Sequence, residues 1–115
     1  KWAVVVLGEL KDMIDNETIE RIAQKLEDED SEVRDSAIYT LGNLKEKLDP
    51  GIVGEIACRL EDKDSKVRGS AVSTLGHLRD KIDNEIVKKI IAIKNKDSVA
   101  VLRLLHQDGK LEFLN

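Results

Sequence analysis

The sequence predicts an all-α protein, an α-solenoid of stacked antiparallel helix pairs, and three observations predict it. The first is self-similarity at 34 residues. Asp30-Ser31-Glu32-Val33-Arg34-Asp35-Ser36-Ala37 recurs as Asp64-Ser65-Lys66-Val67-Arg68-Gly69-Ser70-Ala71, and Thr40-Leu41-Gly42-Asn43-Leu44 recurs as Thr74-Leu75-Gly76-His77-Leu78. A fixed period of this length marks helical hairpins, each burying its apolar stripe on the next. The second is apolar spacing of three and four within each unit, the helical period. The third is an aspartate before each expected helix, able to accept bonds from free N–H groups and suited to the dipole of the first turn.

In chain order, the pattern predicts helices near 2–13, 16–28, 31–47, 50–61, 65–81, 84–95 and 98–107. The opening helix rests on Ala3, Leu7, Gly8 and Leu10, which stand in register with Ala37, Leu41, Gly42 and Leu44. First helices of the next units carry Val33, Ala37, Ile38, Leu41 and Leu44, then Val67, Ala71, Val72, Leu75 and Leu78. Second helices carry Ile19, Ile22, Ala23 and Leu26, then Ile52, Val53, Ile56, Ala57 and Leu60, then Ile86, Val87, Ile90, Ile91 and Ile93. Asp30, Asp64 and Asp97 are the expected caps of first helices, and Asp15, Asp49 and Asp83 those of second helices. Pro50 falls at a first helical position, where its missing N–H costs least. The recurrent Leu-Gly at 7–8, 41–42 and 75–76 implies close packing on the adjacent unit or a bend, because Gly within a helix costs about 0.5–1 kcal/mol against Ala.

The 34-residue register fails after Asn95, where Asp97-Ser98 arrives one residue early. Gly109 is expected to stop the last helix, with Leu111, Phe113 and Leu114 folding back as a lid. The expected organisation is one domain over 1–115: a partial repeat at 1–28, repeats at 29–62 and 63–95, and a degenerate C-terminal cap at 96–115. With no Met at position 1, it reads as a piece of a longer array.

Composition fits surface-rich helices, with 37% charged and only 3% aromatic residues. A net charge of -4 argues against a phosphate-binding surface as the main purpose, since that needs clustered Lys and Arg. Charge is uneven: residues 1–85 hold 13 basic and 20 acidic side chains, residues 86–115 hold 6 and 3. The single Cys58 excludes an internal disulfide and fits a reducing compartment. No apolar run reaches the roughly 20 residues that span a bilayer, so the reading is intracellular and cytoplasmic, without membrane contact.

The pattern Asp-x-x-Val-Arg-x-x-Ala-x-x-x-Leu-Gly-x-Leu at 30–44 and again at 64–78 resembles the HEAT repeat, in particular the short two-helix PBS-lyase HEAT-like type. The resemblance implies a HEAT-like superhelix whose second helices line the concave side. It also implies a ladder in which an acid near the end of one unit meets the Arg opening the next, with Asp28 and Arg34, and Asp62 and Arg68, as counterparts. Asn95 replaces the acid at a third rung and Arg103 is out of place, which puts continuation of the ladder in doubt there.

Recognition is sought where equivalent exposed positions differ while the scaffold repeats. Three rows on the second helices do so: Glu20, Gly54 and Lys88; Arg21, Glu55 and Lys89; Gln24, Cys58 and Ala92. The expected function is a non-catalytic scaffold binding another protein, or another domain of its own chain, through this face. No set of acid, base, nucleophile or metal ligands stands out, and no cofactor is implied. The alternatives are a bilin lyase of the HEAT-like kind and a weak nucleic-acid binder using the basic end at Lys88, Lys89, Lys94 and Lys96, nucleic acid being the less favoured. Self-association through exposed repeat ends is a further option.

Overall fold

The computed structural model describes residues 13–114, so the expected helix at 2–13, apart from its last residue, and the Leu7-Gly8 pair lie outside the described residues. Six α-helices follow in order: α1 (Asn16–Gln24), α2 (Ser31–Asn43), α3 (Pro50–Cys58), α4 (Ser65–His77), α5 (Asn84–Ile93) and α6 (Lys96–Gln107). There is no strand among the described residues. First helices α2, α4 and α6 pack in one row, and α3 and α5 pack in a second, which α1 begins. The principal extents of 46 × 30 × 26 Å are those of a short stack.

Helices α1 to α4 each run on into a 3-10 turn, at Lys25–Glu27, Lys45–Lys47, Arg59–Glu61 and Arg79–Lys81. Bonds of the i→i+3 kind tighten a final turn and satisfy carbonyls that lack an α-helical partner. Expected helices that reached Asp28, Lys47, Glu61 and Lys81 are therefore shorter α-helices with a tightened end.

The aspartate caps do what their chemistry predicts. Asp15 accepts from the Thr18 N–H at 2.8 Å, Asp49 from Ile52 at 2.9 Å and Asp83 from Ile86 at 2.9 Å. Asp30 and Asp64 accept from Glu32 and Lys66 at 2.9 and 2.8 Å. The sixth helix departs from expectation: its cap is Asn95, not Asp97. Asn95 Oδ1 accepts from the Ser98 N–H at 2.7 Å while Ser98 Oγ accepts from the Asn95 N–H at 3.0 Å, a reciprocal capping box.

The broken register has a local cause. Helix α5 has no 3-10 extension; Lys94 takes the left-handed conformation at φ 56° and turns the chain into α6 at once. That conformation usually falls to Gly or Asn because a Cβ crowds it. Asp97-Ser98 thus falls 33 residues after Asp64-Ser65, one short of the period.

Leu26, Ile38, Leu41, Ile56, Leu60, Leu75, Leu78 and Ile90 are buried in a continuous strip between the rows. Gly42 sits against α4, where a Cβ would come 3.0 Å from the Thr74 methyl, and Gly76 sits against α6, 3.3 Å from Leu104. Close approach between first helices is thus the reason for both glycines. The expected C-terminal lid forms only in part: Leu111 packs on the core, whereas Phe113 and Leu114 remain 36% and 51% exposed.

Candidate functional site

Two features stand out above the core: a line of side-chain bonds crossing from unit to unit, and the outer face of α1, α3 and α5. The line centres on Arg34, in the first turn of α2 and only 4% exposed. Its Nε and Nη2 donate to the Asp62 carboxylate at 2.8 and 2.9 Å, and its Nη1 donates to the carbonyls of Asp28 and Glu29 at 2.8 and 3.0 Å. The bidentate fork is the strongest geometry open to this ion pair. Asp62 also accepts from the Asp64 N–H at 2.9 Å and from Arg59 at 3.4 Å. Burial pushes the Asp62 carboxyl up, but the Arg34 bond, the Asp64 N–H and the charges of Arg34 and Arg59 outweigh it and hold the group below its ordinary value.

The pairing differs from the one implied by resemblance. Arg34 takes the Asp28 carbonyl rather than its carboxylate, which instead accepts from the Asp30 N–H at 2.9 Å. Likewise Arg68 donates to the Asp62 carbonyl at 2.6 Å. Each Arg therefore grips the backbone of the turn before it and reaches forward to a carboxylate at the turn that follows its own helix pair. Arg68 Nε also donates to Asp97, at 3.2 Å, while Asn95, expected to stand in for the acid at a third rung with Arg103, gives its Nδ2–H to the Leu60 carbonyl. Asp97 is free for this because Asn95 does the capping.

Other side chains brace the same interfaces. Arg59 and Asn95 cap the exposed ends of preceding second-helix segments by donating to the carbonyls of Leu26 and Leu60, at 3.2 and 2.8 Å. Lys45 pairs with Asp80 at 2.9 Å and Arg79 with Asp108 at 3.1 Å, in equivalent places one unit apart. Sequence reasoning missed these: the first two end on backbone carbonyls, which leave no residue signature, and the other two join side chains that only the packing of successive units brings together.

On the second-helix face the expected residues do not all come together. Glu20, Gln24, Glu55 and Cys58 line one notch of about 150 Å³ between α1 and α3, along with Glu27 and Arg59. Its floor is Ala23 and Leu26, both buried. Cys58 is exposed. Gly54 is buried, so it is no recognition position: the Lys89 side chain lies over it, with Nζ 3.4 Å from where a Cβ would be. Arg21 is exposed and paired with Glu17 at 2.8 Å outside the notch, Lys88 is exposed beside Glu85 at 3.4 Å, and Ala92 is exposed on α5. Burial, then the charges of Glu20, Glu27 and Asp49, push the Glu55 carboxyl above its ordinary value, while Lys89 pulls it down. Glu27 and Arg59 belong to the notch through the 3-10 turns, which the helical period alone does not distinguish.

The family model for the HEAT repeat matches residues 19–48, a window holding most of α1 and all of α2. With the two-row stack, the all-α fold is consistent with a HEAT-like repeat architecture, and it is residues 19–48 that are similar to the HEAT repeat. No curated protein and no solved structure matches the chain. HEAT repeats commonly mediate protein–protein interaction and generally serve as scaffolds. No helix among the described residues is long and apolar enough to cross a membrane.

Proposed function

We propose that this chain is a non-catalytic protein-interaction module that holds another protein, or another domain of its own chain, on the face of α1, α3 and α5. The observation that carries this reading is the division between repeated and varied positions. Arg34 and Arg68, and Gly42 and Gly76, repeat because they join one unit to the next. Glu20 and Lys88, Glu55 and Lys89, and Cys58 and Ala92 occupy equivalent exposed places and differ in charge or shape. A surface of changing charge suits selective recognition, since complementary partners are steered in and like-charged ones rejected.

The test is a reversal of the charged row, Arg21→Glu, Glu55→Lys and Lys89→Glu. Affinity capture with the native chain and with this variant, followed by purified binding of the recovered protein, should show loss of binding in the variant. Helicity and melting should stay close to native, because surface changes usually alter stability by less than about 0.5 kcal/mol each. Equal binding by both chains would remove the face from the account.

A further inference from the structure

The link between α5 and α6 differs from every other link between the described helices. Residues 25–30, 44–49, 59–64 and 78–83 join the earlier helices, whereas Lys94 and Asn95 alone join α5 to α6. Lys94 turns the chain there at φ 56°, the one positive φ outside glycine among the described residues. A Cβ crowds that conformation. The sequence on either side does not call for a break, since no Gly or Pro stands anywhere from Asn84 to Gln107. A helix can run straight through such a stretch, and the carbonyls ending α5 would then bond the N–H groups opening α6.

We propose that two copies of this chain exchange α6. In each copy α5 and α6 join as one helix from Asn84 to Gln107, and the α6 portion docks on α4 and α5 of the other copy. The inference does not depend on the protein-binding reading above, because the exchange leaves α1 and α3 in place. It keeps the contacts of α6 and changes only the hinge. Asp97 with Arg68 at 3.2 Å, Asp108 with Arg79 at 3.1 Å, and Leu104 against Gly76 all re-form between copies. Release of α6 asks little. Both ion pairs are partly exposed, and the buried apolar side chains of α6 are Val101 and Leu105, against Ala37, Ile38 and Leu41 in α2. The exchange gives up the Asn95–Ser98 capping box and the Asn95 bond to the Leu60 carbonyl at 2.8 Å. In return each copy sheds a left-handed lysine. Exchange of an identical element is a low-cost route to a dimer, and a short hinge under strain favours it.

The experiment is refolding from urea at a series of chain concentrations, followed by size-exclusion chromatography with light scattering. The native chain should give a dimer whose share rises with concentration during refolding. Lys94→Gly accepts the left-handed turn and should lower the dimer association constant about tenfold or more, since both copies carry the hinge. Lys94→Val, branched at Cβ and worst suited to that turn, should raise it. A charge exchange separates a swapped helix from two surfaces that merely touch. Arg68→Asp alone and Asp97→Arg alone each set like charges against each other at that rung, whereas a swapped pair made of one copy of each joins opposite charges at both rungs. The two variants refolded together should therefore form more dimer than either alone. Circular dichroism of each variant should match the native chain. A monomer at every concentration for both the native chain and Lys94→Val, a dimer indifferent to Lys94, or no gain from the mixture would overturn the inference.

Discussion

The rungs Arg34–Asp62 and Arg68–Asp97 use the same residue types at equivalent arginines, yet they differ in geometry. The first is bidentate with both side chains buried; the second is a single bond of 3.2 Å with the partners 26% and 19% exposed. The difference is where the carboxylate sits. Asp62 precedes its helix cap Asp64 by two residues and is wedged in the turn, while Asp97 follows the cap Asn95 by two and reaches back from the first turn of α6. A repeat motif therefore specifies which residues meet, and the turn between helices sets how tightly.

The largest expected effect separates the two rungs. Asp62→Ala leaves the buried Arg34 guanidinium without its carboxylate and should cost about 3–5 kcal/mol in urea unfolding, the usual penalty for breaking a buried pair. Asp97→Ala removes a partly exposed partner and should cost about 1 kcal/mol or less. Equal costs would break the comparison. pH sharpens it. The Asp62 carboxyl is held below its unfolded value, so its contribution is fully present above about pH 4 and is lost as pH falls through the folded value. The gap between native and Asp62→Asn chains should therefore be constant from neutral pH down to about 5 and close in stronger acid.

The glycines extend the contrast between tight and open sites. Gly42→Val drives branched atoms into the stiff Thr74 side chain and should destabilise by about 1–3 kcal/mol. Gly69, within α4, has nothing within 4 Å of the place a Cβ would take, so Gly69→Ala should stabilise by about 0.5–1 kcal/mol through helix propensity. Thermal melting reads both. The smallest effect is at the notch. Glu55 has a raised carboxyl, so its charge opposes folding once ionised. Glu55→Gln should melt slightly higher than native at neutral pH, and the difference should vanish as pH falls below the unfolded value of about 4.3.

These contrasts mark what a repeating sequence makes legible. Helix order, the buried stripes and five of the aspartate caps follow from period and local chemistry, and the close-packed Gly42 and Gly76 from their recurrence. The direction of the Arg bonds did not follow, because Arg34 and Arg68 bind carbonyls as well as carboxylates. Asp97 as a rung partner was hidden by Lys94, whose left-handed turn no propensity favours. Gly54 passed for a surface position because only the packed structure lays Lys89 across it. The notch was half visible: variation pointed to Glu20, Gln24, Glu55 and Cys58, while Glu27 and Arg59 enter from turns that break the helical period.

On the function proposed above, the α1, α3 and α5 face, and not the row of first helices, receives the partner. Amide hydrogen exchange of the chain with and without its captured protein tests this most directly. Docking on that face should add protection in α1, α3 and α5, greatest near Glu55 and Cys58, and leave α2 and α4 unchanged. Protection confined to α2 and α4 would contradict it.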